Sequence, residues 1–468
     1  MVVTSFADTS ITVPSVEGLE EPYATHFAQC HQVWSENRSK NLTRRAYYEG
    51  KNRLKNIGIA IPKELETLEI VVDWARIAVD ELANLSRFDG FTGEGSDGLK
   101  AIMTDNRFNR KYRMLTRSEL VQGLSFATVT KGEEDEPNVR IRTYSAVNAA
   151  CLWDYRLDRI KCGITVHDVN ENGTPTRYML YEPDCNIEIV QADTTRWTCA
   201  VSKHPMGRPQ MEPIIYNADD DYPLGHSRIT KGVMNITDRA VREALRTELA
   251  SEFAATPQKY LLGGTAKDKA EAMQQGTRWE MYAGAIQWFT KDRDGDVPQY
   301  GQLPQVSMTP HSEYFMHLAE EFAAVTRLPV DMLVRSRTYT SSDSAQANKD
   351  SLVKVAETMN DDNGDALAVI GRMALAIESN SSFNDTPSTI MPVFKDPQRS
   401  SKSAEADWMV KMCSVFPWLA ETSVALERAG FTESERIRID SEKRRVQAAQ
   451  RMQAMEEAAA KMSNGGQR

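Results

Sequence analysis

The chain has 468 residues, 41% hydrophobic and 26% charged, with a formal net charge of −10. That apolar fraction supports real cores and excludes global disorder, and the length points to about two to four domains or one elongated multi-part subunit. The acidic balance disfavours a tight grip on nucleic acid, which needs a basic surface, yet leaves room for a surface past which DNA slides without sticking.

The first residues, MVVTSFADTSITVPSVEG, lack a basic stretch followed by an apolar core and do not read as a signal peptide. Residues 1–24 are expected to be a loose segment. A helix is expected over about 25–48. IPKELETLEIVVDWARIAVDELANL gives the clearest helical pattern of the first half: Leu65, Leu68, Val72, Ala75, Val79 and Leu82 form one apolar stripe, and Pro62 suits a first turn. Residues 99–124 read as helix with an interruption near TDNRF, closed by Gly123. From about 126 to 216, short alternating segments such as VRIRTY, CGITVHDV and TRYMLY alternate with turns such as NENGTP, the pattern of antiparallel sheet.

Helix returns over about 229–255, roughly 39 Å at 1.5 Å per residue, and Pro257 stands where it cannot continue. PQKYLLGG reads as a strand. Residues 265–308 mix a short helix, the strand AIQWF and the turn KDRDGD. A second helix starts at Thr309, a possible N-cap, with Pro310 in its first turn; Phe315, Leu318, Phe322 and Val325 share a face. RSRTYTSSDSAQANKD, residues 335–350, has no large aliphatic residue and reads as surface loop and helix start. Ser342 or Asp343 can cap a helix reaching about Glu378, with a kink or bend expected at Asn363–Gly364. Residues 379–400 read as loop. Helices close the chain, the last from a capping-box pattern, Thr432 to Glu435, and a disordered tail is expected in MSNGGQR.

The motif search returns no chemistry. There is no GxxxxGK[ST], GxSxG or HExxH, and no run of about 18 apolar residues that would span a membrane. Asp292, Asp294 and Asp296 begin like a calcium loop, but Val297 replaces the required glycine and Leu303 the closing glutamate. His311 and His317 lie six apart, on different helix faces. Asp219, Asp220 and Asp221 read as a solvated turn rather than a magnesium site. Cys30, Cys151, Cys162, Cys185, Cys199 and Cys413 form no CxxC pair and read as reduced, incidental thiols, so no metal and no cofactor is expected. Arg436, Arg438, Lys443, Arg444 and Arg445, interleaved with acids, read as a solvated helix face.

The order of segments resembles the portal proteins of tailed bacteriophages, of the type found in many siphophages. The resemblance rests on YYEGK and the helix after it, on FDGF, on HPMGRPQMEPIIYNADDDYPLGHSRI, and on DRAVREALRTELASEFAATPQKYLLG. It continues through SMTPHSEYFMHLAEEFAAVTRLPVDML and SSDSAQANKDSLVKVAE, covering about residues 40–440. RSRTYTSSDSAQA is longer and more basic than the Asn-Pro-Ser-Ser passage expected there.

The resemblance implies an α+β, elongated subunit. Residues 25–228 would be wing, 229–255 and 309–327 two stem helices, and 256–308 the clip. Residues 328–342 would be the tunnel loop, 343–400 a long kinked wing helix with its following loop, and 401–468 a helical crown. It implies a ring of twelve at one capsid vertex, the channel through which double-stranded DNA is packaged and ejected. Its partners would be terminase large subunit, a head–tail adaptor, and the major capsid and scaffolding proteins; it would be found in the virion, and in host cytoplasm during assembly. No membrane and no enzymatic activity are implied. Arg335, Ser336, Arg337, Thr338, Tyr339 and Thr340 would line the channel, and Lys291, Asp292, Arg293 and Asp294 would face the motor. The alternatives are another structural head–tail component and a metal-dependent hydrolase or nuclease using Asp219, Asp220 and Asp221.

Overall fold

The computed structural model describes residues 12–52, 54, 69–194, 196–255, 259–262, 299–302, 307–334, 342–398, 402–422, 425–426, 429–431 and 433–464. They fall into two units, residues 1–397 and 398–468, each described by itself.

In chain order the first unit starts with β1 (Val16–Glu17), α1 (Tyr23–Tyr48), α2 (Trp74–Leu85), β2 (Phe88–Thr92), α3 (Ser96–Asp105) and α4 (Phe108–Gln122). Eight strands follow: β3 (Leu124–Lys131), β4 (Val139–Ser145), β5 (Ala149–Asp154), β6 (Arg159–Val169), β7 (Pro175–Tyr181), β8 (Cys185–Gln191), β9 (Trp197–Lys203) and β10 (Met211–Ile215). Then come α5 (Lys231–Ala255), β11 (Lys259–Leu262), β12 (Gln299–Gln302), α6 (Thr309–Thr326), α7 (Ser342–Glu378) and β13 (Met391–Phe394).

The β-rich region is two sheets. β5 to β9 form an antiparallel meander to which β1 adds in parallel, and β10, β3 and β4 form a second, antiparallel sheet. Alternation on β3 explains how they pack. Ala127 and Val129 face α4 and α7 with Phe108, Leu115, Leu367 and Ile370, while Phe126 turns to Tyr181 and Met211 between the sheets. α1 covers the meander through Phe27, Cys30 and Trp34 against Ile164, Tyr178 and Ile187. A separate core joins α2, α5, α6 and the start of α7, with Trp74 5.1 Å from Phe315 and 5.4 Å from Phe322 between ring centroids. Each fully buried large apolar side chain contributes roughly 1.5–3 kcal/mol.

Several expectations need correction. The helix expected over Leu65–Leu82 is interrupted: residues 69–73 are not helical, α2 begins at Trp74, and Pro62 lies outside the described residues. Ile70, Val71 and Val72 are β-branched and stiff in a helix, and Val71 is exposed. Leu65 and Leu68 lie outside the described residues. The break in 99–124 is sharp: Asn106 caps α3, and Arg107 takes a left-handed conformation before α4. α6 is capped by Met308 with no side-chain bond, so Thr309 is its first residue rather than its cap. Val325 is exposed: the buried stripe runs through Leu318, Ala319, Phe322, Ala323 and Thr326, and Val325 lies at its outer edge. Residues 379–400 contain β13, which pairs with β2 almost three hundred residues earlier. α7 continues as helix through Asn363–Gly364, and a Cβ at Gly364 would meet Pro392 at 3.6 Å and Phe394 at 3.8 Å, ordinary contact with β13. AIQWF, KDRDGD and Thr432 lie outside the described residues.

The second unit holds α8 (Lys402–Val415), a 3₁₀ turn over Pro417–Glu421 and α9 (Glu433–Asn464). α9 reaches into the expected disordered tail. It is solvated along its described length, with Arg438 paired to Glu442 one turn on. This agrees with the interleaved charges read as a solvated face.

Candidate functional site

α5 and α6 form the most elaborated helix pair of the first unit. Buried Val233, Ile236, Ala240 and Leu245 on α5 and Leu318, Ala319, Phe322 and Ala323 on α6 form the helical stripes expected of facing helices. The polar crossings fix an antiparallel order. Arg239 donates to Glu321 at 2.8 and 3.0 Å and to the Tyr314 hydroxyl at 3.3 Å; one turn along, His311 Nδ1 lies 2.6 Å from Glu243 Oε1. The Arg239–Glu321 pair is part-exposed and worth about 0–1 kcal/mol, so the apolar stripe carries the stability and the ion pairs set register.

The base of the pair is built from the GHSRI passage. Gly225 has φ +71°, and a Cβ there would sit 2.4 Å from the Tyr216 carbonyl oxygen. Ser227 Oγ donates to the Val121 carbonyl at 2.7 Å and accepts from the Ile229 amide at 3.0 Å. Arg228 is buried. Its Nε donates to the Ala78 carbonyl at 2.7 Å, Nη1 to the Tyr216 hydroxyl at 3.1 Å and Nη2 to the Thr326 carbonyl at 2.6 Å. The planar fork of arginine suits three directed bonds from one side chain.

At the end of α6 the chain turns through Arg327, at φ 55°, and a 3₁₀ turn over Val330–Met332. Met332, Leu333 and Val334 pack on the same core as Trp74 and Phe322, as do Leu352 and Ala356 of α7. Both flanks of residues 335–341 are therefore anchored on one core. Arg335, Ser336, Arg337, Thr338, Tyr339 and Thr340 themselves lie outside the described residues, as do Lys291, Asp292, Arg293 and Asp294.

α7 is also pinned by a buried polar network absent from the sequence reading. Asn363 Nδ2 donates to Glu119 Oε2 at 3.1 Å and to the Tyr112 hydroxyl at 3.3 Å, and Tyr112 bonds Ser86 at 2.6 Å. Burial holds the Glu119 carboxyl well above the usual range, and burial followed by the nearby Glu119 pushes Tyr112 up to about 12. The polar spacing of Ser86, Tyr112, Glu119 and Asn363 carries no local signal; only the fold brings them together.

The aspartate run is a turn. Asp219 Oδ1 accepts from the amides of Asp221 and Tyr222 at 3.0 and 2.8 Å, and Oδ2 lies 2.9 Å from His226 Nε2. Its carboxylate is committed to local structure, which argues against a hydrolytic metal there.

The chain belongs to the phage portal proteins: it matches the SPP1 Gp6-like portal family over residues 28–462. That family is a structural one. The portal protein of Mycobacterium phage L5 is 23% identical over 415 residues, covering 86% of this chain and 84% of that protein. The portal protein of Mycobacterium phage D29 is 23% identical over 390 residues, covering 81% and 80%. Among solved structures, a chain from the virion of a native gene transfer agent particle matches with TM-score 0.43 and 13% identity, covering 75% of this chain and 87% of that one. A chain from the neck of the native particle, computed with C12 symmetry, matches with TM-score 0.42 and 12% identity, covering 84% and 97%.

Proposed function

We propose that this chain is the subunit of a twelve-membered portal ring at one capsid vertex, enclosing the channel through which double-stranded DNA is packaged and later ejected. The observation that carries the reading is the family match over residues 28–462, which spans the helix pair, its base and both flanks of the 335–341 segment. On this reading residues 25–228 are wing, 229–255 and 309–327 the stem helices, and 256–308 the clip. Residues 328–342 are the tunnel loop, 343–400 the wing helix with its following loop, and 401–468 the crown. Terminase docks at the clip, with Lys291, Asp292, Arg293 and Asp294 facing it. A head–tail adaptor replaces terminase after packaging, and capsid and scaffolding proteins surround the ring.

The charge balance suits such a channel. A net −10 per chain, multiplied around a ring, repels DNA and prevents sticking. Arg335 and Arg337 would supply brief phosphate contacts that centre the duplex. Those contacts fade beyond a Debye length of about 8 Å at physiological salt, so they do not hold the DNA. The test is in vitro packaging with heads carrying Arg335→Ala and Arg337→Ala together. Rings and heads should form normally while packaged DNA per head falls severalfold. Unchanged packaging would remove the loop from the channel.

The competing hydrolase reading rests on Asp219, Asp220 and Asp221, and the turn they form disfavours it.

A further inference from the structure

We infer that His26, Cys30, Cys162 and Glu182 form a binding site for a thiolate-seeking divalent cation, zinc above all, which ties α1 to the six-stranded sheet. His26 and Cys30 are four residues apart on α1 and so share a helix face. Cys162 lies on β6, and Glu182 follows β7 directly, its amide bonded to the Cys185 carbonyl. The fold thus brings three separate segments to one point.

Two ligand pairs, Cys30 with Cys162 and His26 with Glu182, already stand at separations of the order a tetrahedral zinc needs, and Cys30 must move toward the other pair to close the set. The Cys30 and Cys162 sulfurs are 3.6 Å apart, and a zinc with bonds of about 2.3 Å to sulfur holds two ligating sulfurs about 3.8 Å apart. His26 Nδ1 lies 3.0 and 3.2 Å from the two Glu182 oxygens. One ligand atom each from His26, Cys162 and Glu182 lies within 4.8 Å of the others. Cys30, outside that tightest trio, completes the set through its contact with Cys162. Among the described residues this is the one group of histidine, cysteine and carboxylate side chains that converges in this way.

The four groups are enclosed but reachable. Cys30 and Cys162 are fully buried and Glu182 is 2% exposed, while the His26 side chain, 14% exposed, leaves an approach from solvent. Coordination deprotonates both thiols and displaces the proton that His26 Nδ1 and Glu182 share, all passing to solvent or to the outer histidine nitrogen, so that Glu182 binds as carboxylate and His26 through its lone pair. Two thiolates and a carboxylate around a dication leave one net negative charge, which Lys161 opposes: its charge already acts on His26 and Glu182. The sequence reading missed the site because these ligands come as His-x-x-x-Cys on a helix plus two single residues far along the chain, not as paired CxxC motifs.

The test is cobalt(II) titration of the reduced full-length chain, with the zinc content of the freshly purified protein measured in parallel. The site predicts a thiolate-to-cobalt charge-transfer band that saturates at one ion per chain and is displaced by zinc. Cys162→Ser should at least halve the band, Cys30→Ser with Cys162→Ser should abolish it, His26→Ala should weaken binding by more than about tenfold, and Cys413→Ser should change none of these. The wild-type titration stands even if a variant fails to fold. A reduced wild-type chain with no band would overturn the site. So would a band that survives Cys30→Ser and Cys162→Ser together, or a Cys30–Cys162 disulfide in protein made in a reducing cytoplasm.

Discussion

The Arg228 guanidinium donates to the Thr326 carbonyl at 2.6 Å, tying the segment that leads into α5 to the last residue of α6, with the Ala78 carbonyl of α2 held by the same fork at 2.7 Å. One buried side chain thus fixes the base from which the two helices extend. Arg228→Lys keeps the charge but cannot reach all three acceptors. It should lower unfolding stability of the first unit by about 2–4 kcal/mol, through buried carbonyls left without the fork and a misplaced charge. Urea denaturation checks this; a loss under about 0.5 kcal/mol would mean the fork is incidental.

The turn leading into that base should be similarly intolerant. Gly225→Ala must accept φ +71° and a Cβ only 2.4 Å from the Tyr216 oxygen. Gly173 has a comparable φ of +74° but open space around its would-be Cβ. Gly173→Ala should therefore cost about 1 kcal/mol, for conformation alone, and Gly225→Ala clearly more, about 2–4 kcal/mol. Equal midpoints for the two variants in thermal melts would contradict the clash.

Much of this architecture was legible locally. The apolar stripes of α2 and α6 and the turn-punctuated strands from 126 to 216 come from side-chain periodicity, which a helix or a sheet imposes on neighbouring residues, and the spans of α1 and α5 were read close to where they lie. What escaped depends on partners remote in sequence. β2 and β13 are short, and each becomes a strand only by pairing with the other. Glu119 meets Asn363, and Cys30 meets Cys162, solely because separate elements pack together. The proposed channel-lining and motor-facing residues were chosen from the family resemblance, and the described residues supply only their surroundings.

Glu119 gives the first unit a pH dependence. Its carboxyl is held well above the unfolded value of about 4.3, so the folded state keeps a proton that the unfolded state has lost. The contribution is full below about pH 4 and declines as pH rises toward the raised folded value, by up to about 1.4 kcal/mol per pH unit. Glu119→Gln keeps a carbonyl for Asn363 without the titration. It should flatten the decline in urea midpoint between about pH 5 and 8 and be the more stable chain at the upper end. Parallel profiles for the two chains would show that Glu119 is not the group responsible.

The aspartate turn separates a structural subunit from a nuclease. Changing Asp219, Asp220 and Asp221 to Asn together should loosen the turn that Asp219 caps and leave DNA unchanged in magnesium, as with the parent chain. Magnesium-dependent cleavage by the parent that the triple variant loses would restore the hydrolase reading.

The central claim is the ring, and direct imaging tests it. The chain is co-produced with its capsid and scaffolding proteins, and single particles and assembled heads are imaged. The account predicts closed rings of about twelve subunits, with a central hole wide enough for duplex DNA and one ring per head. Monomers or dimers alone, with heads that close without a unique vertex, would contradict it.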